Sequence, residues 1–540
     1  MEVVAAHVDL SWMLAAFAFL VLMIPGLGLY YGGMLGGRNV LNMMSMVFAT
    51  LGITCVIYVL YGYGLVSGPS IHGWGIIGNP VHYLGLGEHL TDDQSGGIQV
   101  LYIAAWFILF AAITVAIVAS GAAGRMKFSA WLVFVPIWLT LVYFPVAHWV
   151  FAADSDEGAG GFLLNKIHIH DFAGGTAVHM NSGVAALALA LVLGARRRRA
   201  ERPHNVPIVL LGGGILWFGW FGFNGSCAGG ANFVTQFVVL NTLLAGGAGM
   251  LGFWAIEKWR EGHVTALGSI TGAIAGLVGI TPSANTVTPI GALMVGILAA
   301  GVVAFFLSFK PNFKVDDSLD AFIVHGIGGI VGTLCIVLFA AGSAPAGVTG
   351  LLFGGPIDIL WRELAGVVIT CTFSFVMTWL IAKALDKTIG LRVDAETETQ
   401  GLDSSIHAET AYEIPAAGVG HGGLSGMSPA LAPRAWRTGS PRPLSPSAPD
   451  RCARHRGRIT PWCAPGAILI DGRGARRPRR RASRPLAPVL VSGSSVICGG
   501  LEAPRPRGLV TPRPPGEWRR SRWCGHRWSH LDHRVGVAEE

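Results

Sequence analysis

Eleven apolar runs of roughly twenty residues fill most of the chain up to residue 385, near 10–33, 42–66, 98–121, 130–150, 172–194, 207–226, 232–257, 265–281, 289–309, 318–341 and 362–385. A helix needs about 20 mostly apolar residues to cross a hydrocarbon core of roughly 30 Å. Lipid offers backbone N–H and C=O groups no partners, so segments this long and apolar cross it as helices. Apolar residues make up 52% of the chain and charged ones 13%, which excludes an ordinary soluble domain and a disordered chain. The expected fold is an all-α polytopic membrane protein with eleven transmembrane helices.

Basic residues assign the sides. Arg38, then Arg125 and Lys127, then Arg196–Arg199 with Arg202, then Lys258 and Arg260, then Lys310 and Lys314, and finally Lys383, Lys387 and Arg392 all fall between runs of one parity. The opposite loops hold Glu88, Asp92, Asp93, Asp154, Asp156 and Glu157, with Lys166 and Arg362 as their basic residues. Cytoplasmic loops carry the excess of Lys and Arg, so the N-terminus is expected outside and the C-terminus in the cytoplasm. The first run has no basic stretch before it and is followed by Arg38, so it reads as a retained span and not as a cleaved signal.

The net charge of +8 divides unevenly: residues 1–420 carry −7 and residues 421–540 carry +15. That tail holds 16 of the 29 prolines, all 22 of its basic residues are Arg, and it shows no helical or strand period. It is expected to be disordered, either as a basic arm for anionic lipid or, the favoured reading, as the product of a shifted reading frame. Because the basic excess lies outside the body, no nucleic-acid partner is expected. Cys55, Cys227, Cys335 and Cys371 lie in apolar runs and the other four are scattered through the tail, so neither a metal nor a disulfide framework is implied.

Glycines recur at helical spacing, as at Gly212, Gly213, Gly214, Gly219 and Gly222, which predicts close helix packing. A second regularity is internal. Asp171-Phe-Ala-Gly-Gly-Thr-Ala-Val-His179 opens the fifth run and Asp317-Ser-Leu-Asp-Ala-Phe-Ile-Val-His325 the tenth, both Asp-x7-His. Five runs separate them, an odd number, so the copies cross in opposite senses. This predicts an inverted repeat, with a site at the midplane between the halves.

Histidines in apolar spans face a bundle interior or cavity and mark function by default. Two at equivalent positions make His179 and His325 the leading site, and burial keeps at least one ring neutral, which suits a small polar neutral molecule. Asp171 and Asp317 are expected to cap their helices. Asp171 stands on the outer side, where its charge favours a cation, and Asp317 at the cytoplasmic end. Trp106, Phe107 and Phe110 in the third run and Trp217, Phe218, Trp220, Phe221 and Phe223 in the sixth supply ring faces, a few of them suited to an ammonium-type cation.

Asp171-Phe-Ala-Gly-Gly-Thr-Ala-Val-His179-Met-Asn-Ser-Gly resembles the signature of the ammonium transporter family (Amt/MEP/Rhesus). So do Trp220-Phe-Gly-Phe-Asn224, Gly276-Leu-Val-Gly-Ile-Thr281-Pro, Val315-Asp-Asp-Ser-Leu-Asp320 with His325-Gly-Ile-Gly-Gly, and Gly390-Leu-Arg-Val. The resemblance covers about residues 10–413. It implies a homotrimer with one pore per subunit in the plasma membrane, eleven helices arranged as a 5+5 inverted repeat plus one, and passage of ammonium or ammonia, with methylammonium as an analogue. It further implies His179 and His325 as twin pore histidines, Asp171 beneath the outer recruitment site, Phe110 and Phe223 as a stacked ring gate, and Trp220, Thr281 and Ala173 in the pore-entrance wall.

Phe151, Cys227 and Trp106 stand where the family commonly has Trp, Ser and Phe, and Ser226 is next to Cys227. Residues 152–170 form a longer outer loop than expected. Residues 1–385 are then a transmembrane transporter domain and 386–420 a cytoplasmic regulatory segment, which implies a PII-type signal protein as partner.

The implied sequence of events is recruitment of ammonium at the outer mouth by Asp171 and the faces of Trp106, Phe151 and Trp220, with a hydroxyl or thiol at Ser226 or Cys227, then deprotonation below the ring gate, passage of ammonia along the histidines and separate transfer of a proton. An ammonium sensor is the competing reading and would need an ordered output domain after the last span. A membrane metalloenzyme would need further ligands at the midplane, whereas His148, His168 and His170 cluster near the outer surface. No cofactor and no enzymatic activity are expected.

Overall fold

The computed structural model describes residues 2–89, 100–197, 202–312 and 315–412. Asp92, Asp93, Arg198, Arg199, Lys314, positions 413–420 of the expected regulatory segment and the tail 421–540 lie outside the described residues. Among the described residues the regular elements are helices, with isolated β-bridges and no strands.

Ten helices among the described residues are long and apolar enough to cross a membrane: α1 (Ala6–Met34), α2 (Val40–Ser67), α3 (Val100–Ala122), α4 (Phe128–Phe151), α5 (Gly175–Leu193), α6 (Val206–Ser226), α7 (Phe233–Glu261), α9 (Pro289–Ser308), α10 (Phe322–Phe339) and α11 (Asp358–Thr388). Between α7 and α9 lies α8 (Ala266–Ile280), apolar but only 15 residues long, where the sequence predicts a run over 265–281. It stops at Thr281-Pro282 because Pro282 has no N–H to continue the ladder, and residues 281–286 follow as buried turns. Helix α11 overruns its expected bounds of 362–385 at both ends, since an Asp358–Arg362 pair one turn apart opens it and Lys387 closes it.

Small residues bring the backbones together. A Cβ on Gly249 of α7 would lie 2.4 Å from the Gly272 carbonyl of α8, and one on Gly212 of α6 would lie 2.3 Å from the Tyr30 nitrogen of α1. Neither space admits any side chain, the arrangement expected where dispersion and not water exclusion drives association.

The two Asp-x7-His segments build matching structures. His179 sits on a π-helical turn, Gly175–Met180, that opens α5, and His325 on another, Phe322–Ile327, that opens α10. The residue four beyond each histidine is a glycine packed on the other segment. A Cβ on Gly183 would lie 2.2 Å from the Gly326 nitrogen, and one on Gly329 would lie 3.1 Å from the Gly175 carbonyl oxygen. The two π-turns therefore cross at close range, which no spacing rule in the sequence specifies.

Residues 386–412 pack on the cytoplasmic ends of the spans. The Arg392 guanidinium donates to the carbonyls of Leu193 and Ala195 at 2.9 and 2.8 Å and to Glu398 of α12 (Ala395–Gln400). Asp403 accepts the peptide N–H groups of Leu41 and Asn42 at 3.1 and 2.8 Å. The segment is thereby fixed to the end of α5 and to the start of α2.

Candidate pore and its outer mouth

At the outer entry to α5, Asp171 accepts four peptide N–H bonds. One oxygen takes those of Gly174 and Gly175 at 2.8 and 2.7 Å, the other those of Thr176 and Ala177 at 2.7 and 3.2 Å. Gly174 permits this wrap with a φ of +109°, a conformation that L side chains rarely adopt. Burial raises the carboxyl above its ordinary range, and the four N–H donors offset part of that rise. The turn rests on the segment after α8, where the Phe172 N–H donates to the Pro282 carbonyl at 3.1 Å, with Ala173 fully buried.

Four rings stand at this mouth. Phe110 of α3 and Phe223 of α6 are stacked at 4.1 Å between centroids and 11° between planes. On the outer side of Phe110, Trp106 meets it edge-on at 5.0 Å and Phe151 at 6.4 Å. The Trp106 Nε1 is buried without a hydrogen-bond partner, a donor available to a ligand. The Cys227 thiol reaches the Phe223 carbonyl at 3.4 Å, and the buried Ser226 hydroxyl donates to the Gly222 carbonyl at 2.6 Å. Both side chains fold back along α6, and each keeps acceptor capacity for a donor in front of it.

Below the stacked rings, His179 Nδ1 and His325 Nδ1 lie 3.2 Å apart with the rings at 29°. One nitrogen must carry the proton and the other accept it. His179 Nε2 is buried with no partner. Both rings face a narrow cavity of about 20 Å³, also lined by Trp220, Phe223, Tyr31 and Ile113. That is room for a molecule or two the size of water or ammonia, and for little else.

Trp220 departs from its expected place at the entrance wall with Trp106 and Phe151. It lies one turn deeper on α6 than Phe223, stacks on His179 at 5.4 Å, and donates its Nε1 to the Thr281 hydroxyl at 2.9 Å. The helical period explains this, since three residues separate it from Phe223 on the same face. Thr281, itself bonded to the Leu277 carbonyl, thus serves as an anchor for Trp220.

At the cytoplasmic end Asp317 bridges α3 and α10, accepting the Ser120 hydroxyl at 2.7 Å and the Phe322 N–H at 2.8 Å. Beside it, the fully buried guanidinium of Arg125 donates to the Ser318 hydroxyl and the Asp316 carbonyl, each at 2.8 Å. Burial pulls Arg125 down to about 10. Asp316 is pushed up by burial but drawn below its ordinary value by Arg196, which binds it through backbone and side chain. Arg125 appears in the sequence merely as a topology marker, and nothing there signals its burial. Glu363 of α11 was equally unmarked as a partner, yet its Oε1 accepts the His170 N–H at 2.8 Å.

Residues 11–412 match the family described as the Ammonium Transporter Family. An ammonium transporter of Corynebacterium glutamicum is 52% identical over 425 residues, covering 78% of this chain and 93% of the relative. Ammonium transporter Amt1 of Archaeoglobus fulgidus is 40% identical over 410 residues, covering 75% and 99%. Among solved structures, Saccharomyces cerevisiae Mep2 superposes with a TM-score of 0.65 at 30% identity, over 72% of this chain and 88% of that one. A protein described as Sensor Amt Protein superposes at 0.69 and 27% identity, over 75% and 100%. On a match that runs through every span and both histidine segments, this multi-pass protein of the cell membrane belongs to the ammonium transporter family.

Proposed function

We propose that this chain moves ammonium nitrogen across the membrane as ammonia, and that its own residues divide the work. Asp171 draws ammonium to the outer mouth, where the faces of Trp106 and Phe151 and the oxygen or sulfur of Ser226 or Cys227 hold it, as ring quadrupoles and lone pairs favour a compact cation. The Phe110/Phe223 stack then excludes the hydrated ion. Ammonium gives up a proton below it, because a bare cation in an apolar passage is far costlier than neutral ammonia. Ammonia passes along His179, Trp220 and His325, accepting and donating hydrogen bonds in turn. The released proton crosses separately. Potassium is rejected because it has no proton to lose.

The observation that carries this reading is the His179–His325 pair, two rings sharing one proton in a cavity sized for ammonia. Proteoliposomes containing the purified protein test it: an ammonium pulse is expected to give a current and a potassium pulse none. A potassium current of equal size, or no response to ammonium, overturns it.

We further propose that residues 386–420 are a cytoplasmic regulatory segment, contacting a neighbouring subunit of a homotrimer and a PII-type signal protein. Lipid surrounds the assembly. The likeness to the Sensor Amt Protein favours a second reading, ammonium sensing. Reconstituted protein that binds ammonium without passing it would support that reading over transport.

A further inference from the structure

An acidic side chain buried in a transmembrane helix requires a reason, since lipid and protein both disfavour its charge. Glu363 is such a residue: it lies one turn into α11, is 1% exposed, and lines neither the histidine cavity nor the ring stack. The next-door Arg362 pairs with Asp358 one turn back on the same helix. Glu363 is directed instead at the loop that precedes α5.

In that loop His168 adopts φ +61°, a left-handed conformation that residues with a Cβ rarely take. From there to the recruitment turn, three successive anchors fix the backbone: Ile169 N–H to the Leu163 carbonyl at 3.1 Å, His170 N–H to Glu363 Oε1 at 2.8 Å, and Phe172 N–H to the Pro282 carbonyl at 3.1 Å. Of these three acceptors, only the middle one is a side chain, and it holds the residue next to Asp171. One turn further along α11, Gly366 lets the helix approach the same loop, and a Cβ there would lie 3.2 Å from the Ile169 Cγ2.

We infer that Glu363 is a positioning residue of the outer recruitment site: its Oε1 holds the His170 N–H, and through it the turn that presents Asp171 to an incoming cation. This rests on the recruitment role proposed for Asp171. It makes the last transmembrane helix, outside the paired repeats, a determinant of how tightly ammonium is captured. Because Glu363 lies outside the histidine cavity and the ring stack, its bond is expected to act on capture and not on passage.

Concentration-dependent uptake of methylammonium, normalised to assembled protein, tests the assignment with Glu363→Met, which keeps the volume and loses the acceptor, and Glu363→Gln, which keeps an acceptor oxygen. For the methionine variant the half-saturation concentration is expected to rise about tenfold, the size of one lost hydrogen bond, with maximal rate within about twofold of wild type. Glutamine is expected to restore half-saturation to within about threefold, since an amide oxygen still accepts. Methionine at wild-type half-saturation, a loss confined to maximal rate, or glutamine shifted as far as methionine would each overturn the inference.

Gly366→Ala is the second variant. It leaves Glu363 intact, presses on Ile169, and is expected to raise half-saturation about threefold, because a Cβ contact at this distance forces its neighbour to shift. If the methionine variant does not assemble, an alanine variant with wild-type half-saturation overturns the inference instead. A wild-type protein that shows no saturable uptake sinks the transport reading itself, a result distinct from any of these.

Discussion

His179 and His325, 146 positions apart in the chain, meet through their Nδ1 atoms at 3.2 Å. A contact of this kind holds one proton, so the two rings form a single hydrogen-bonding unit and each sets the tautomer of the other. Removing either leaves its partner without that bond. His179→Ala and His325→Ala are each expected to lower methylammonium uptake by about tenfold or more, and the double variant little further, because members of a unit are not additive. A double-mutant cycle on initial rates checks this. Two independent losses that multiply would show the rings to act separately.

The 4.1 Å stack of Phe110 on Phe223 separates the outer mouth from the histidines. Replacing both with Ala removes the apolar plug and admits water, which lowers the penalty for an ion below it. The expected outcome is a potassium current that the wild type lacks, read by electrophysiology on reconstituted protein. Phe223→Leu, which keeps an apolar body there, is expected to remain selective.

Gly183 and Gly329 occupy equivalent positions in the two halves but unequal spaces. A methyl on Gly183 meets backbone at 2.2 Å, whereas one on Gly329 first meets atoms at 3.1 Å, one of them the flexible Met180 side chain. Gly183→Ala is therefore expected to destabilise by about 3 kcal/mol or more and Gly329→Ala by about 1 kcal/mol. Thermal unfolding in detergent orders the two variants, and the reverse order would contradict this crossing geometry.

His170, in the loop before Asp171, is held down to about 4 by burial, assisted by the charges of Arg362 and His168. Unfolded, it titrates near 6.5. Between those values the unfolded chain binds more protons than the folded one, so this contribution to stability is complete above about pH 6.5 and is lost as the pH falls toward 4. His170→Gln removes it. The drop in melting temperature between pH 7 and pH 5 is expected to be smaller in the variant than in the wild type.

Much of this architecture is legible in the residues because lipid imposes a simple rule, long apolar runs with basic residues on one side. The Asp-x7-His repeat was equally plain, since histidine is rare in such runs. Depth and register were not. Trp220 sits among similar rings in the sixth run, and only helical phase puts it on His179 and not beside Trp106. Glu363 lies near the start of the last run, next to Arg362, and its partner is 193 positions away. The shortness of α8 hung on one proline. For Trp220 and Glu363 the missing information was a contact between segments, which composition does not carry.

The π-turns also constrain how such a chain can change length. Each holds its histidine in a wider turn, the equivalent of one residue inserted into an α-helix. With Asp171 held by its turn, deleting a residue between it and His179 would move the histidine itself to a neighbouring position, about 100° around the helix axis. His179 would then point away from His325 even though every chemical group survived. The number of positions between aspartate and histidine is thus fixed as firmly as the residues themselves, and fixed jointly in both halves, because each ring is aligned to the other.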